Sequence, residues 1–239
     1  MTQRNEHLEL FTAPKSHYSS ATQYYLDLAN MRLLFEATRS STLNDAFVHM
    51  WICRSLLASS IVNDFDSGPF MLKHGFLKRD NEFFDRKLQL SAVINWEWSR
   101  VVPAQAMAAP PPFVVVPPYK LQKPRDLDWY RRIRFDYIQA LPNLESQFNK
   151  DQKCPPILFE LNKNAMRTLG IEKVLTGGES YLASAFWVEI FEPIFGNIDK
   201  AKFIEFYKNA PGVMDEFKRM KIFISVKEVF ANYFCIITV

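Results

Sequence analysis

The sequence has few of the residues that build metal centres and disulfides. Its 239 residues include three cysteines, four histidines and seven glycines. Cys53, Cys154 and Cys235 lie far apart without a Cys-x-x-Cys pair, and the histidines are equally dispersed, so no zinc-ligand spacing exists. We therefore expect no metal site, and a reducing intracellular compartment fits this cysteine usage best.

Long apolar runs and concentrated charge are also missing. No apolar run reaches the roughly 20 residues that a membrane helix needs. The opening residues, MTQRNEHLELF, predict neither a secretory signal nor an amphipathic presequence. The net charge is only +3, and its lysines and arginines are scattered. We expect no transmembrane segment and no nucleic-acid partner, while a cytoplasmic and a mitochondrial location both stay open.

Aromatic residues, by contrast, are abundant. The chain has 21 Phe and 9 Tyr against 7 Gly, a balance that favours helices with thick aromatic packing over a loop-built fold. A chain of this length buries a substantial core without a disulfide or a metal.

Strands and helices are predicted to alternate along the first eighty residues. The predicted elements are a strand at 8–11, a helix at 19–31, a strand at 32–37, a helix at 40–51, two short strands within 53–65 and a helix at 66–77. This order is β-α-β-α-β-β-α. Because a β-α-β unit normally has a right-handed crossover, its two strands should be parallel.

The rest of the chain is predicted to be helical around a proline-rich arm. Seven of the 14 prolines fall within residues 103–124, where a continuous helix is excluded. The other predicted helices are 80–102, one that begins at Asp126, 144–151, 157–169, 179–192, 199–209 and 211–223. Residues 224–239 fit a helix or a strand equally well.

This layout resembles that of soluble glutathione transferases, and several stretches look like the theta-like branch of that family. The stretches are LELF (8–11) followed by Ser16, LNDAF (43–47), DS (66–67), VINWEWSRVVPA (93–104), LTGGESYLASAFWVEIFEPIF (175–195) and FIEFYKNAPGVMDEFKRM (203–220). The resemblance implies an α+β protein. It would have a thioredoxin-like domain at 1–78, an all-helical domain at 79–223 that carries the arm at 103–124, and a C-terminal extension at 224–239.

The same resemblance implies a glutathione site without a metal. Ser16 would stabilise the glutathione thiolate, because a hydrogen bond to the charged form lowers a thiol pKa. Asp66 and Ser67 would hold the γ-glutamyl end at a helix N-terminus. The alternative for all three residues is a local role, since Ser and Asp also cap helices and close turns.

Two departures from the family pattern indicate a degenerate site. The segment SLLASSIV (55–62) lacks the proline that precedes the family's third strand. In addition, Ala183 stands three positions after Ser180, where the family's capping box has an acidic residue. We therefore expect a non-catalytic structural or interaction subunit of a larger protein assembly, in a homodimer or a hetero-complex. The alternatives are an active theta-like transferase with glutathione as its cofactor, and an α-rich scaffold unrelated to that family.

Overall fold

Helices fill most of the described part of the chain, and a small strand region lies between the second and third helices. The computed structural model describes residues 18–75, 77, 79–108, 124–148, 157–164, 166–176 and 179–237. This mostly helical arrangement with antiparallel strands is compatible with the expected α+β class.

The helices and strands have the following bounds. The helices are α1 (Ala21–Arg39), α2 (Asp45–Ser60), α3 (Pro124–Phe148), α4 (Ile157–Asn164), α5 (Met166–Thr176), α6 (Glu179–Ala185), α7 (Glu192–Phe195), α8 (Lys200–Lys208) and α9 (Pro211–Ile237). A π-helical stretch, Phe186–Phe191, joins α6 to α7. The strands are β1 (Phe70–Lys73), β2 (Glu82–Phe84), β3 (Leu90–Val93) and β4 (Arg100–Pro103).

The four strands form two antiparallel pairs, one nested inside the other in sequence. β1 pairs with β4, and β2 pairs with β3 as a hairpin. Asp85 closes the hairpin turn, because its Oδ1 accepts the backbone N–H of Lys87 at 2.8 Å and of Gln89 at 2.9 Å. These bonds satisfy backbone groups that the turn would otherwise leave unpaired.

The helices α1 and α2 begin at side-chain caps and lie in the main core. Ser20 accepts the backbone N–H of Gln23, and Asn44 accepts that of Phe47, which satisfies helix N–H groups that have no partner inside the helix. The largest fully buried side chains include Tyr25, Phe47, Phe186 and Phe191. The aromatic excess of the sequence is thus placed largely inside a helical core.

Gly170 allows α5 to approach the π-helical stretch closely. A Cβ at this position would lie 2.7 Å from Ile190 Cδ1 and 3.0 Å from Glu189 Cβ. Any larger residue would push these two segments apart.

The predicted strands at 32–37 and 53–65 are wrong. Residues 32–37 continue α1, and α2 extends to Ser60, followed by a short 3₁₀ turn. Neither segment contains a helix-breaking residue at its start, and a short apolar run does not by itself distinguish a strand from a buried helix. The described residues before Phe70 contain no strand, and the strand predicted at 8–11 lies outside them.

The helices predicted at 66–77 and 80–102 are also wrong, because these residues form the four strands. Apolar residues there happen to recur at helical spacing, but the turn chemistry of Asp85 and the strand pairing decide the structure. The helices predicted at 19–31, 179–192 and 199–209 are confirmed, as is the one that begins near Asp126. The helix predicted at 40–51 begins only at Asp45 and continues to Ser60, and Gly170, predicted to end the helix at 157–169, lies inside α5. For residues 224–239 the sequence left a helix and a strand open. Up to Ile237 these residues belong to the helix α9.

The proline-rich arm is described only at its two ends. Residues 104–108 form a 3₁₀ turn and Pro124 begins α3, while 109–123 lie outside the described part. Within that part, no helix combines the length and the apolarity that crossing a membrane requires.

His49 is buried in the helical core, with an exposed fraction of 2%. Its ring stacks on Phe186 at a centroid distance of 4.1 Å and meets Trp187 edge-on at 5.2 Å. Neither ring nitrogen has a hydrogen-bond partner among the described residues. Burial lowers the pKa of His49 to about 4; the charge of Asp45 opposes this shift and that of Lys208 adds to it.

The buried imidazole should make folding stability depend on pH. Between about pH 6.5 and pH 4 the unfolded chain binds a proton at His49 that the folded chain does not, so stability should fall as the pH drops through this window, by up to about 3 kcal/mol. In urea titrations at several pH values, His49→Phe should remove this share of the pH dependence while keeping the ring stacking. An identical pH dependence in both proteins would contradict the prediction.

Candidate functional site

The predicted site residue Asp66 caps α1. Its Oδ1 accepts the backbone N–H and the side-chain hydroxyl of Thr22, both at 2.8 Å, and its backbone oxygen accepts the N–H of Ala21 at 2.7 Å. The helix predicted to begin at Asp66 does not form, because the chain after Asp66 forms β1, and the helix N-terminus that Asp66 caps is that of α1. Asp66 therefore occupies α1 backbone amides that an external anion would use.

The other two predicted site residues give no further support to a ligand site. Ser67 is exposed in the turn before β1, and Ser16 lies outside the described residues. Asp66 has a capping role, but at α1 and not at the helix predicted at 66–77. The assignment of Ser16, Asp66 and Ser67 to glutathione stays a prediction.

A polar arrangement that the sequence reasoning missed lies around the hairpin, between β1 and β4. Nε2 of the buried His74 is 2.8 Å from the backbone oxygen of Ile94. The side-chain amide of Asn95 donates to Oδ1 of Asn81 at 2.7 Å, and the N–H of Ile94 donates to the backbone oxygen of Asn81 at 3.0 Å. Asn95 is held in the left-handed region, with φ 64°. These bonds hold the segment before β2 against the segment after β3.

The spacing of these residues matches a known catalytic loop. Protein kinases carry the pattern H-R-D-L-x-x-x-N, in which the Asp is the catalytic base and the Asn holds a magnesium ion. His74, Leu77 and Asn81 stand at the corresponding positions, whereas Gly75 and Phe76 stand where the pattern has its Arg and its Asp. The interval from His74 to Asn81, followed by a hairpin, is the signal from which sequence reasoning could have found this site.

Asn95 lies where a second magnesium ligand would be needed. In protein kinases an Asp from a later segment holds the metal together with the catalytic-loop Asn. Here the neighbour of Asn81 is another amide, and the two side chains bond to each other. An amide carries no negative charge to neutralise a cation. Among the described residues, no group of three or more His, Cys, Asp or Glu side chains is arranged to hold a metal ion.

Next to this arrangement the strands expose an apolar surface, which we call the strand surface. It comprises Leu72, Phe83, Phe84, Leu88, Leu90, Trp96 and Val101, whose exposed fractions range from 49% to 82%. Leu72 is opposite Val101 in the β1–β4 pair, and Phe84 is opposite Leu90 in the hairpin. Phe83, Phe84, Leu88 and Leu90 thus give this hairpin an exposed apolar surface.

The strands are attached to α5 by a buried carboxylate. Glu172, with 2% of its side chain exposed, is 3.3 Å from Nζ of Lys73 on β1 and 3.4 Å from Nη2 of Arg100 on β4. Lys73 also donates to the backbone oxygen of Ala106 at 2.8 Å. Burial, and next the charge of Glu172, raise the pKa of the core residue Tyr25. The two cations thus pair with a carboxylate that is otherwise surrounded by core.

Comparison with known proteins identifies no relative of this chain. No family model, no curated protein and no solved structure matches it. The interpretation therefore depends on two features of the chain itself, which are the Asn81–Asn95 pair and the strand surface.

Proposed function

We propose that the chain is a non-catalytic interaction subunit whose hairpin region has the layout of a phosphoryl-transfer loop without its two catalytic carboxylates. The observation that carries this proposal is the hydrogen-bonded pair of amides, Asn81 and Asn95. The proposal keeps the non-catalytic role expected from the sequence. It moves the degenerate site from Ser16 and Asp66 to the loop that begins at His74.

The chemistry of phosphoryl transfer explains why the amide pair matters. Such enzymes position a hydroxyl with a carboxylate and neutralise the phosphate with carboxylate-bound magnesium. Phe76 accepts no proton, and Asn95 supplies a neutral oxygen where a metal-binding carboxylate would stand. Hydrogen bonds position Asn81 and Asn95 next to each other, but the two carboxylates that this chemistry uses are replaced by Phe76 and Asn95.

The glutathione-transferase resemblance stays a prediction beside this proposal. A thioredoxin-like domain at 1–78 would use strands at 32–37 and 53–65, where the chain is helical up to Ser60. The alternative of an active transferase needs Ser16 to stabilise the thiolate and Asp66 with Ser67 to hold the γ-glutamyl group. The Oδ1 atom of Asp66 instead accepts two hydrogen bonds from Thr22. The geometry around the Asn81–Asn95 pair therefore favours the non-catalytic role.

The strand surface supports the interaction part of the proposal. A two-stranded hairpin is marginally stable in water unless another layer covers it, and the large apolar side chains of this hairpin are exposed. A second protein subunit would cover Phe84, Leu88 and Leu90 and could add a strand to an unpaired edge. We propose that this surface joins the chain to the assembly, whether the neighbour is a second copy or another subunit.

The amide pair can be tested by restoring a charge. Asn95→Asp should tighten Mn²⁺ binding by about tenfold or more, because a carboxylate next to Asn81 adds a charged ligand. Binding is measured by the water-proton relaxation of Mn²⁺ solutions, with the exposed Asn63→Asp as the matched control. The wild-type chain should bind Mn²⁺ weakly and should not hydrolyse ATP. Wild-type binding as tight as that of the variant, or ATP hydrolysis, would overturn the non-catalytic assignment.

The strand surface can be tested by making it polar. In extracts of cells that express the full chain, the wild type should elute from a sizing column in an assembly larger than the monomer. The double variant Phe84→Ser, Leu88→Ser should elute as a folded monomer, because it removes apolar area from the interface. Phe206→Ser on α8, where Phe206 is 69% exposed, is the matched control and should stay in the assembly. A wild-type monomer, or equal loss in both variants, would reject this surface.

A further inference from the structure

A second buried charge cluster lies around Lys173, the neighbour of Glu172 in α5. Glu189, in the π-helical stretch, accepts through Oε1 from Nζ of Lys173 at 2.7 Å and from the hydroxyl of Tyr130, and through Oε2 from Nη1 of Arg134 at 2.7 Å. Lys173 also lies 2.7 Å from the Tyr130 hydroxyl. At most 13% of the side chain is exposed at Lys173, Arg134 and Glu189. The cluster therefore joins α3, α5 and the π-helical stretch away from bulk water.

This cluster contains more positive than negative charge. When all groups are ionised, the carboxylate of Glu189 faces the two cations Lys173 and Arg134. Burial lowers the pKa of Lys173, and the positive charges of Arg134 and Lys73 lower it further. Burial also raises the pKa of Glu189 to about 8. Since Lys173 and Glu189 carry no net charge together, whether both or neither is ionised, Arg134 gives the cluster its net positive charge. An anion in the cavity would offset this charge.

A cavity of about 280 Å³ opens directly onto the cluster. Tyr130, Arg134 and Glu189 form its polar wall, with Arg131. The remaining lining is apolar and consists of Phe135, Ile138, Val188 and Pro193. Small-molecule sites commonly have this composition, with a few convergent polar groups in an apolar cleft. The π-helical stretch supplies Val188 and Glu189, and π turns occur frequently at functional sites.

Arg131 stands at the rim of the cavity and is held only loosely by the protein. Its side chain is 57% exposed, and its guanidinium nitrogens are 3.7 Å from Asp128 and 3.5 Å from Glu192. Glu192 is also 3.3 Å from Lys200, so its charge is shared. Exposed ion pairs of this length contribute little to stability. Arg131 can therefore turn towards an anion in the cavity at small cost.

We infer that this cavity binds an amphipathic organic anion, a small carboxylate with an apolar chain. The carboxylate lies beside the guanidinium groups of Arg131 and Arg134, where the excess positive charge is. The apolar chain lies against Phe135, Ile138 and Val188. This site is separate from the strand surface and does not depend on the proposed function.

The test uses octanoate as the probe and octanol as its uncharged counterpart. Titration of the full chain, followed calorimetrically, should show saturable octanoate binding and octanol binding at least about tenfold weaker, because a charge-assisted hydrogen bond is lost. Arg131→Gln should weaken octanoate binding by a similar factor. The neighbouring Arg132→Gln is the matched control, since Arg132 is exposed and does not line the cavity. It should leave the affinity unchanged.

Filling the cavity provides a second variant that retains every charge. Ile138→Trp should abolish octanoate binding while the far-ultraviolet circular dichroism stays that of the wild type. No saturable octanoate binding, equal affinity for octanol, or equal weakening by Arg131→Gln and Arg132→Gln would each overturn the inference. Unchanged octanoate binding in a folded Ile138→Trp protein would place the ligand elsewhere and overturn it as well.

Discussion

The described structure depends on two adjacent, oppositely charged residues of α5. Glu172 pairs with Lys73 and Arg100 on the strands, and Lys173 pairs with Glu189 beside α3. Removing a charge from water costs several kcal/mol unless a partner compensates it, so each buried group requires its neighbours in place. Because consecutive helix residues point in different directions, α5 links the strand region on one side to the π-helical stretch on the other.

The strand region is attached through Glu172 on one side and is exposed on the other. Only a small part of this region is buried, chiefly Val102 of β4 and the alanines that follow it, while the strand surface remains exposed. The region is therefore held at one end by Glu172 and by the β4 side of the core. Its outer side is left for a partner, and the Asn81–Asn95 pair fixes the loops beneath the hairpin. The neutral Asn81–Asn95 pair and the exposed apolar surface lie in the same region, as the proposed interaction role requires.

The sequence predicted the parts of the fold that depend on local signals. Helices with a polar cap and an apolar stripe, such as α1 and α2, were predicted close to their actual starts. The strands were not, because apolar residues between Phe84 and Trp96 imitate a helical spacing and only pairing across the hairpin shows their true structure. The spacing between His74 and Asn81 is visible in the sequence. The contact of Asn81 with Asn95 is not, because it forms only when the hairpin brings the two segments together. The pairs Lys73–Glu172 and Arg134–Glu189 join residues far apart in the chain, and no pattern in the sequence predicts them.

The attachment of the strands through Glu172 is tested most directly by hydrogen exchange of backbone amides in Glu172→Gln. Because Lys73 and Arg100 lose their buried partner in this variant, amides of β1 and β4 should exchange at least about tenfold faster than in the wild type. Amides of α1 and α2 should keep their protection. The exposed Glu205→Gln on α8 serves as the matched control and should exchange like the wild type. Unchanged exchange at β1 and β4, or a uniform acceleration over the whole chain, would contradict the account.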